Sequence, residues 1–426
     1  LPKFGAYWFF NIGGKNITMT NNPKPKVLRI INRFNLGGPT FNVAYLSKYL
    51  VNYETLLAGG EKDASEDSSE FILENLDLHP VKIKAMRRSI NPFNDVLSFL
   101  EIVKLIRSFQ PQIIHTHASK AGTLGRLAAL YCKVPIVIHT FHGHVFHSYF
   151  PAWKTAIFKA IERFLAKRST CIIAISEKQK EELSRIHKIC EANKIKVVSL
   201  GFDLERFRDL EGVKRKQFRS KYFIQEDEIA VGIIGRLVPI KNHELFLGAV
   251  EHIFKQSGFE KVKFFIVGDG ELKDVLLEKA NTLGLNPVFF PDNPVEGRLI
   301  FTSWIKEVDV VMAGLDLVAL TSFNEGTPVS LIEAQAAGRA VISTNVGGIE
   351  NIVSQQTAVL IENNNGPAFN QSLENLLKNP QKLREMGSYG WELVGKKFNY
   401  TRLVNDMDHL YGALLGFKKN PNNGQI

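Results

Sequence analysis

Cysteine is scarce in this chain. Three among 426 residues, Cys132, Cys171 and Cys190, sit far apart with no CxxC spacing. That excludes a disulfide framework and makes a reducing cytoplasm the default compartment. Long apolar runs are missing as well. The first segment, LPKFGAYWFFNIGG, has about ten apolar positions where a spanning helix needs about 20. It also lacks the basic start and small-residue cleavage site of a secretory signal, and the first convincing strand begins only at Val27. No GxGxxG fingerprint occurs, which disfavours an NAD-type oxidoreductase, and no HExxH occurs to hold zinc.

Acidic residues are short in one half only. Residues 1–200 carry 28 Lys/Arg against 15 Asp/Glu, and residues 201–426 carry 25 against 28, within a net charge of +10. One basic half and one near-neutral half point to a single domain facing a polyanion or an anionic membrane. Nucleic acid is disfavoured, because no aromatic–basic interleaving on strands and no recognition motif appears.

What is present is alternation. KVLRIIN, YETLLAG, QIIHTH, PIVIHT, TCIIAIS and IKVVSL are short and apolar, as parallel strands buried on both faces must be. Amphipathic stretches separate them; over 93–109, Val96, Leu97, Leu100, Val103, Leu105 and Ile106 form a broad apolar stripe. EIAVGIIG, KFFIVGDG, PVFF, DLVALTS, AVISTN and TAVLIE repeat the plan. This predicts an α/β protein of two doubly wound, Rossmann-like domains. The expected spans are 24–200 and 201–398, with the break near SLGFDLERF. A final helix, 399–417, is expected to reach back to the first domain.

In open α/β sheets, ligands sit at the carboxyl ends of the strands, and three loops there carry suitable residues. NRFNLGGPT puts Gly37 and Gly38 at a helix N-terminus, where backbone can approach an anion; a plain turn accounts for it equally well. GRLVPIKN sets Arg236 and Lys241 five apart, a planar fork and a point charge suited to a diphosphate. TSFNEGTPVSLIEAQAAG runs from a strand into a helix. There Thr327 can cap and Pro328 suits the first helical position, so that the free amides of Val329 and Ser330 face a phosphate, with Gly326 in the same turn. Glu325 would be repelled by that phosphate unless it holds hydroxyls of a bound sugar. Glu333, on the second turn, can accept from ribose hydroxyls. The plain alternative is a loop acid and a solvated helix residue.

EGTPVSLIE, preceded by the GR…K loop, resembles the motif of the retaining, nucleotide-sugar-dependent glycosyltransferases of family four, which have the two-domain GT-B fold. NLGGPT, HTHASKAGTLGRLAA with HTFHG, SLGFDLERF, VGDGEL and AAGRAVISTNVGG resemble further motifs of polysaccharide-building members, in the right order. The resemblance implies two domains facing across a cleft and transfer from a nucleotide-diphosphate sugar, with UDP preferred on family base rates. Arg236 and Lys241 would neutralise the diphosphate, Glu333 would hold the ribose and Glu325 the transferred sugar. Gly38 would approach the phosphate from the other domain, and His142 would touch the sugar near the reacting carbon. It further implies retention by front-face attack and no cofactor beyond the nucleotide-sugar substrate. No metal is expected: the only DxD-like string, Asp406–Met407–Asp408, lies in the final helical pattern, where residues two apart point in different directions, and Arg236 with Lys241 removes the need for a divalent ion. The acceptor would be lipid-linked or a saccharide, and the enzyme cytoplasmic or peripheral on the inner face of the membrane. SLGFD departs from the commoner asparagine–glycine pairing. A nucleotide-sugar 2-epimerase and an inactive nucleotide-sugar-binding scaffold are the alternatives.

HTFHGHVFH, 139–147, holds four of the 11 histidines. With His115 and His117 on a neighbouring strand, a composite metal site competes with a sugar-contacting cleft. No Cys or acid lies in the stretch to help an ion, so the cleft is favoured, with His142 as the contact. Over 151–169, Trp153, Ile157, Ile161, Phe164 and Leu165 share a side, amid Lys154, Lys159, Arg163, Lys167 and Arg168. Such a helix can lie on an anionic leaflet; packing of its apolar side on a sheet is the commoner arrangement and the expectation here.

Overall fold

The computed structural model describes residues 23–35, 38–61, 69–87, 89, 91–143 and 151–416; Gly37, His144 and His147 lie outside them. The first sheet comprises β1 (Lys26–Arg33), β2 (Glu54–Gly60), β3 (Val81–Lys82), β4 (Ile113–His117), β5 (Ile136–Phe141), β6 (Cys171–Ala174) and β7 (Ile195–Val197), in the order β3-β2-β1-β4-β5-β6-β7. The second comprises β8 (Ile229–Ile234), β9 (Val262–Val267), β10 (Val288–Phe289), β11 (Leu299–Ser303), β12 (Leu317–Leu320), β13 (Ala340–Thr344) and β14 (Ala358–Ile361), in the order β10-β11-β9-β8-β12-β13-β14. Every residue of β4, β5, β6, β9, β12 and β13 is buried. Helices cover both faces, which is why apolar and polar residues do not alternate along these strands.

Winding reverses between β1 and β4, which pair directly, and again between β8 and β12. At such a switch point the connections leave to opposite sides and open a crevice beyond the strands' carboxyl ends. One face of the first sheet packs on Ile102, Val103, Ala121 and Ala128. The other packs on Leu46 and on Leu403, Met407 and Tyr411 of the last helix, Tyr400–Leu414. That helix leaves the second half and completes the core of the first.

The two chain crossings lie side by side. Phe202 N–H donates to Phe398 O at 2.7 Å and Tyr400 N–H to Phe202 O at 2.9 Å. A Cβ on Gly201 would stand 2.8 Å from Tyr400 Cα, so only glycine lets the segments touch. Asn42 clamps the same point, its Oδ1 accepting from Gly201 N–H at 3.0 Å and its Nδ2 donating to Gly201 O at 3.2 Å.

Two expected apolar stripes are corrected. In Pro92–Phe109 the buried residues are Ser98, Ile102, Val103 and Ile106, whereas Val96, Leu97 and Leu100 are exposed. Ser98 folds its hydroxyl back to Asn94 O, so its short side chain lets this face approach the sheet. In Ala152–Arg168 only Leu165 of the expected stripe is buried, beside Glu162 and Ala166. Trp153, Ile157, Ile161 and Phe164 face outward. The cause is a buried ion pair: Glu162 turns inward to meet Arg126 Nη2 at 2.7 Å, and the apolar stripe is carried to the surface.

Candidate active site

The loops after β8 and β12 meet because those strands are neighbours. Phe323 N–H donates to Ile240 O at 2.9 Å, and Thr321 Oγ1 donates to Lys241 O at 3.0 Å. Lys241 Nζ lies 2.6 Å from Glu325 Oε1, and the Ser322 hydroxyl donates to that same oxygen at 2.6 Å. Both charged side chains are largely covered. Lys241 is therefore not a free cation awaiting a diphosphate; half of its role is to neutralise the acid beside it. Arg236 is exposed and makes no ion pair among the described residues.

Glycine holds this turn in place. Gly347 has φ 57°, and a Cβ there would stand 1.8 Å from Glu325 O. Gly348 N–H donates to Glu325 O at 3.0 Å, so the loop after β13 props the backbone of Glu325. Lys178 of the first half donates to Gly347 O at 2.7 Å, which brings the two sheet edges to one seam.

The helix following Glu325 starts at Val329, with Pro328 as its N-cap at φ −70°, ψ 105°, and no side-chain cap bond. Thr327 therefore does not cap as expected, because the extended Pro328 takes the position one residue later. The amides of Val329 and Ser330 still open the helix, where the macrodipole is positive. Across the seam, the Gly38–Tyr49 helix begins at Gly38, and a Cβ on Gly38 would lie 3.7 Å from Val329 Cγ2. Two helix N-termini thus converge from the two halves, with Gly326 in the open turn beside them. Glu333 lies partly exposed on the second turn, and its carboxylate has no hydrogen-bond partner among the described residues. Burial pushes its carboxyl up to about 7, against a lowering pull from Arg206 and a further push from Asp309.

His142 follows β5, on the carboxyl edge of the first sheet. Its Nε2 lies 2.9 Å from His117 Nδ1, at the end of β4. Burial pushes its imidazole down to about 4. His115 is satisfied on both nitrogens, by Tyr411 Oη at 2.6 Å and Thr140 Oγ1 at 2.7 Å, which leaves no lone pair for an ion. His139 contacts Thr116 Oγ1 at 2.9 Å. A Cβ on Gly122 would stand 2.4 Å from the His139 ring and one on Gly125 2.6 Å from Thr116 Cγ2. The glycines of KAGTLGR therefore seat a helix on the histidine cluster. Asp406 and Asp408 diverge: Asp406 pairs with Arg402 at 2.8 Å and Asp408 accepts from Asn52.

The sequence reading missed Ser322, Asn42, Lys178 and Tyr411. Only Ser322 sat in a motif already singled out, three residues from the Glu325 it contacts; Asn42, Lys178 and Tyr411 act across chain crossings or between distant elements.

Residues 37–206 match the family described as Glycosyltransferase Family 4, and residues 214–392 match the one described as Glycosyl transferases group 1. A UDP-Gal:alpha-D-GlcNAc-diphosphoundecaprenol alpha-1,3-galactosyltransferase of Escherichia coli is 29% identical over 331 residues, 77% of this chain and 82% of that one. The capsular polysaccharide biosynthesis glycosyltransferase CapM of Staphylococcus aureus is 27% identical over 359 residues, 82% of this chain and 89% of that one. Among solved structures, Anabaena Alr3699/HepE in complex with UDP shares the fold at TM-score 0.74 and 18% identity, covering 91% of this chain and 100% of that one.

Proposed function

This chain belongs to the family-four, group 1 glycosyltransferases of two-domain GT-B fold that build polysaccharides, and we propose that it moves a hexose from UDP to a lipid-linked or saccharide acceptor. The observation that carries this reading is the Lys241–Glu325 pair, set beside two facing helix N-termini. Arg236, Lys241 and the amides of Val329 and Ser330 supply positive charge for a diphosphate without an ion. Gly326 and Gly38 leave the backbone open to it, and Glu333 accepts from the ribose. Glu325, with Oε1 occupied by Lys241 and Ser322, offers its other oxygen to sugar hydroxyls. His142, kept neutral, bonds the sugar without placing a cation beside a carbon that becomes electron-poor.

Transfer retains configuration. The C1–oxygen bond to the diphosphate breaks, the acceptor hydroxyl forms its bond to C1 on the same face, and its proton passes to the departing phosphate oxygen. The choice of UDP is supported by the UDP-Gal in the E. coli relative's name and by UDP and UDP-glucose in the Anabaena structures.

The acceptor side faces an anionic leaflet. Trp153 and Phe164 are 62% and 48% exposed, with Ile157 and Ile161 between them. The Ser119–Tyr131 helix packs against both Ala152–Arg168 and Pro92–Phe109, and the latter adds exposed Phe93, Val96 and Leu100. Lys154, Lys167 and Arg168 are exposed around the apolar stripe, each worth about 1 kcal/mol near such a surface. No helix among the described residues is long and apolar enough to cross a membrane; the docking proposed is peripheral, on the inner face.

Thermal-shift titration with UDP, GDP, ADP and NAD tests the donor. A nucleotide at 100 times its dissociation constant adds about 2.7 kcal/mol. A rise with UDP that Lys241→Ala abolishes is expected; a rise with NAD alone, or with none of the four, refutes the reading. Co-sedimentation with phosphatidylcholine vesicles, with and without phosphatidylglycerol, tests the surface. Binding only to the anionic vesicles, lost in Trp153→Ser/Phe164→Ser, is expected; no binding to either refutes it.

A further inference from the structure

The histidines around His142 form a connected set that a sugar contact does not require. Arg29 has no acceptor, so the Tyr411 oxygen must take the bond from Arg29 Nη2 at 3.2 Å. The Tyr411 hydrogen then goes to His115 Nδ1 at 2.6 Å, which leaves His115 Nε2–H to donate to Thr140 Oγ1 at 2.7 Å. One tautomer of His115 is thereby fixed from the C-terminal helix. The ring of His117 lies 4.1 Å from that of His115 and 5.2 Å from that of His142, centroid to centroid. His117 Nε2 and His142 Nδ1 are buried without a partner. Immediately after His117, Ala118 sits at φ 65°, ψ 163°, a sparsely populated conformation for a residue with a Cβ.

We infer that His117 is a positioning residue for His142, holding its ring through one shared hydrogen on the 2.9 Å contact between His117 Nδ1 and His142 Nε2. Two neutral imidazoles can place only one hydrogen on that bond. When His117 donates, His142 carries its hydrogen on Nδ1; when His142 donates, its Nδ1 is left a bare acceptor. A sugar hydroxyl, itself donor and acceptor, is met in either form while the ring stays in place. The groups acting on His117 besides His142 are Arg29 on β1, His115 and His139, with Tyr411 behind His115 and Arg126 behind His139. Both arginines, with burial, keep the cluster uncharged.

The inference rests on the glycosyltransfer reading only for its kinetic arm. With UDP-glucose as the probe and UDP release as the readout, His117→Phe keeps a ring against His115 but has no nitrogen for His142. Its turnover is expected to fall about tenfold, the loss of one oriented hydrogen bond, with KM unchanged. His117→Asn, whose amide can replace Nδ1, is expected to recover most of the rate. A His117→Phe enzyme with wild-type turnover and pH profile overturns the inference. Nitrogen-15 spectra of histidine-labelled full chain give a second arm that needs no turnover. His142 should show an ordered neutral ring whose tautomer balance changes in His117→Phe; identical His142 signals in both proteins overturn the inference. If wild type binds no nucleoside diphosphate, the glycosyltransfer reading fails alone, and the spectra still decide the role of His117.

Discussion

Lys241 and Glu325, 84 residues apart in the chain, share a 2.6 Å contact at the switch point of the second sheet. The contact divides Lys241 between a fixed carboxylate and whatever anion enters the site. Glu325→Gln removes the competitor while keeping the shape. We expect it to bind UDP as tightly as wild type or tighter, and to lose at least about 100-fold in transfer, comparable to deleting one oriented polar contact at a reacting centre. Lys241→Met should lose both binding and turnover. Calorimetric titration with UDP beside a UDP-release assay separates the two. Equal weakening of UDP binding in both variants would mean that Glu325 only scaffolds Lys241.

Glu333 makes stability depend on pH in a direction opposite to that of an ion-paired acid. Its carboxyl titrates at about 7 in the fold against 4.5 when unperturbed, so the native state holds a proton that the unfolded chain releases. Below about pH 4.5 both states are protonated and nothing is lost; between 4.5 and 7 stability falls as pH rises; above 7 the cost is complete. Glu333→Gln should therefore match wild type at pH 4 and exceed it by about 2 kcal/mol at pH 8, allowing for partial exposure. Chemical denaturation at the two pH values measures this. The variant should also bind UDP more weakly, because a neutral amide accepts less strongly from the ribose.

Much of this architecture was legible in the chain because parallel strands buried on both faces advertise themselves as continuous apolar runs. The loops that follow them carried Arg236, Lys241, Glu325 and Gly38, and the fold brings those loops to one seam. Pairing across the loops was not legible: β12 lies beside β8 only after the sheet reverses, and no local pattern encodes that. Nor could periodicity say which side of the Ala152–Arg168 helix faces the sheet. The side that faces inward carries Glu162, paired with Arg126, and nothing in the helix's own periodicity marks that pairing. Tyr411, 296 residues from His115, left no local signal at all.

Asn42 predicts a stability effect at the hinge between the halves. Its amide closes both polar groups of Gly201 and also donates to Gly38 O at 2.9 Å. Asn42→Ala leaves the buried Gly201 N–H without a partner and should cost about 1–3 kcal/mol. Gly201→Ala drives a methyl into Tyr400 Cα and Leu403 and should cost a similar amount or more. Differential scanning calorimetry of each variant checks both. An unshifted transition in Asn42→Ala would show that water replaces the amide freely.

Arg126 and Glu162 form a buried pair in which the guanidinium also donates to Gly122 O at 2.7 Å, beneath the histidine cluster. Removing one partner strands the other charge in a site closed to water, so Arg126→Met should cost about 3–5 kcal/mol. Replacing both, Arg126→Met with Glu162→Leu, removes the charge burial and should recover most of that loss. The double variant carries a second consequence. With no carboxylate to turn inward, the Ala152–Arg168 helix is free to rotate its apolar stripe toward the sheet, and binding to anionic vesicles should weaken although no exposed basic residue has changed. Urea unfolding and vesicle co-sedimentation on the same three proteins test both halves of the argument. A double variant that is stable and still binds vesicles like wild type would show that the sheet, not the ion pair, sets the orientation of this helix.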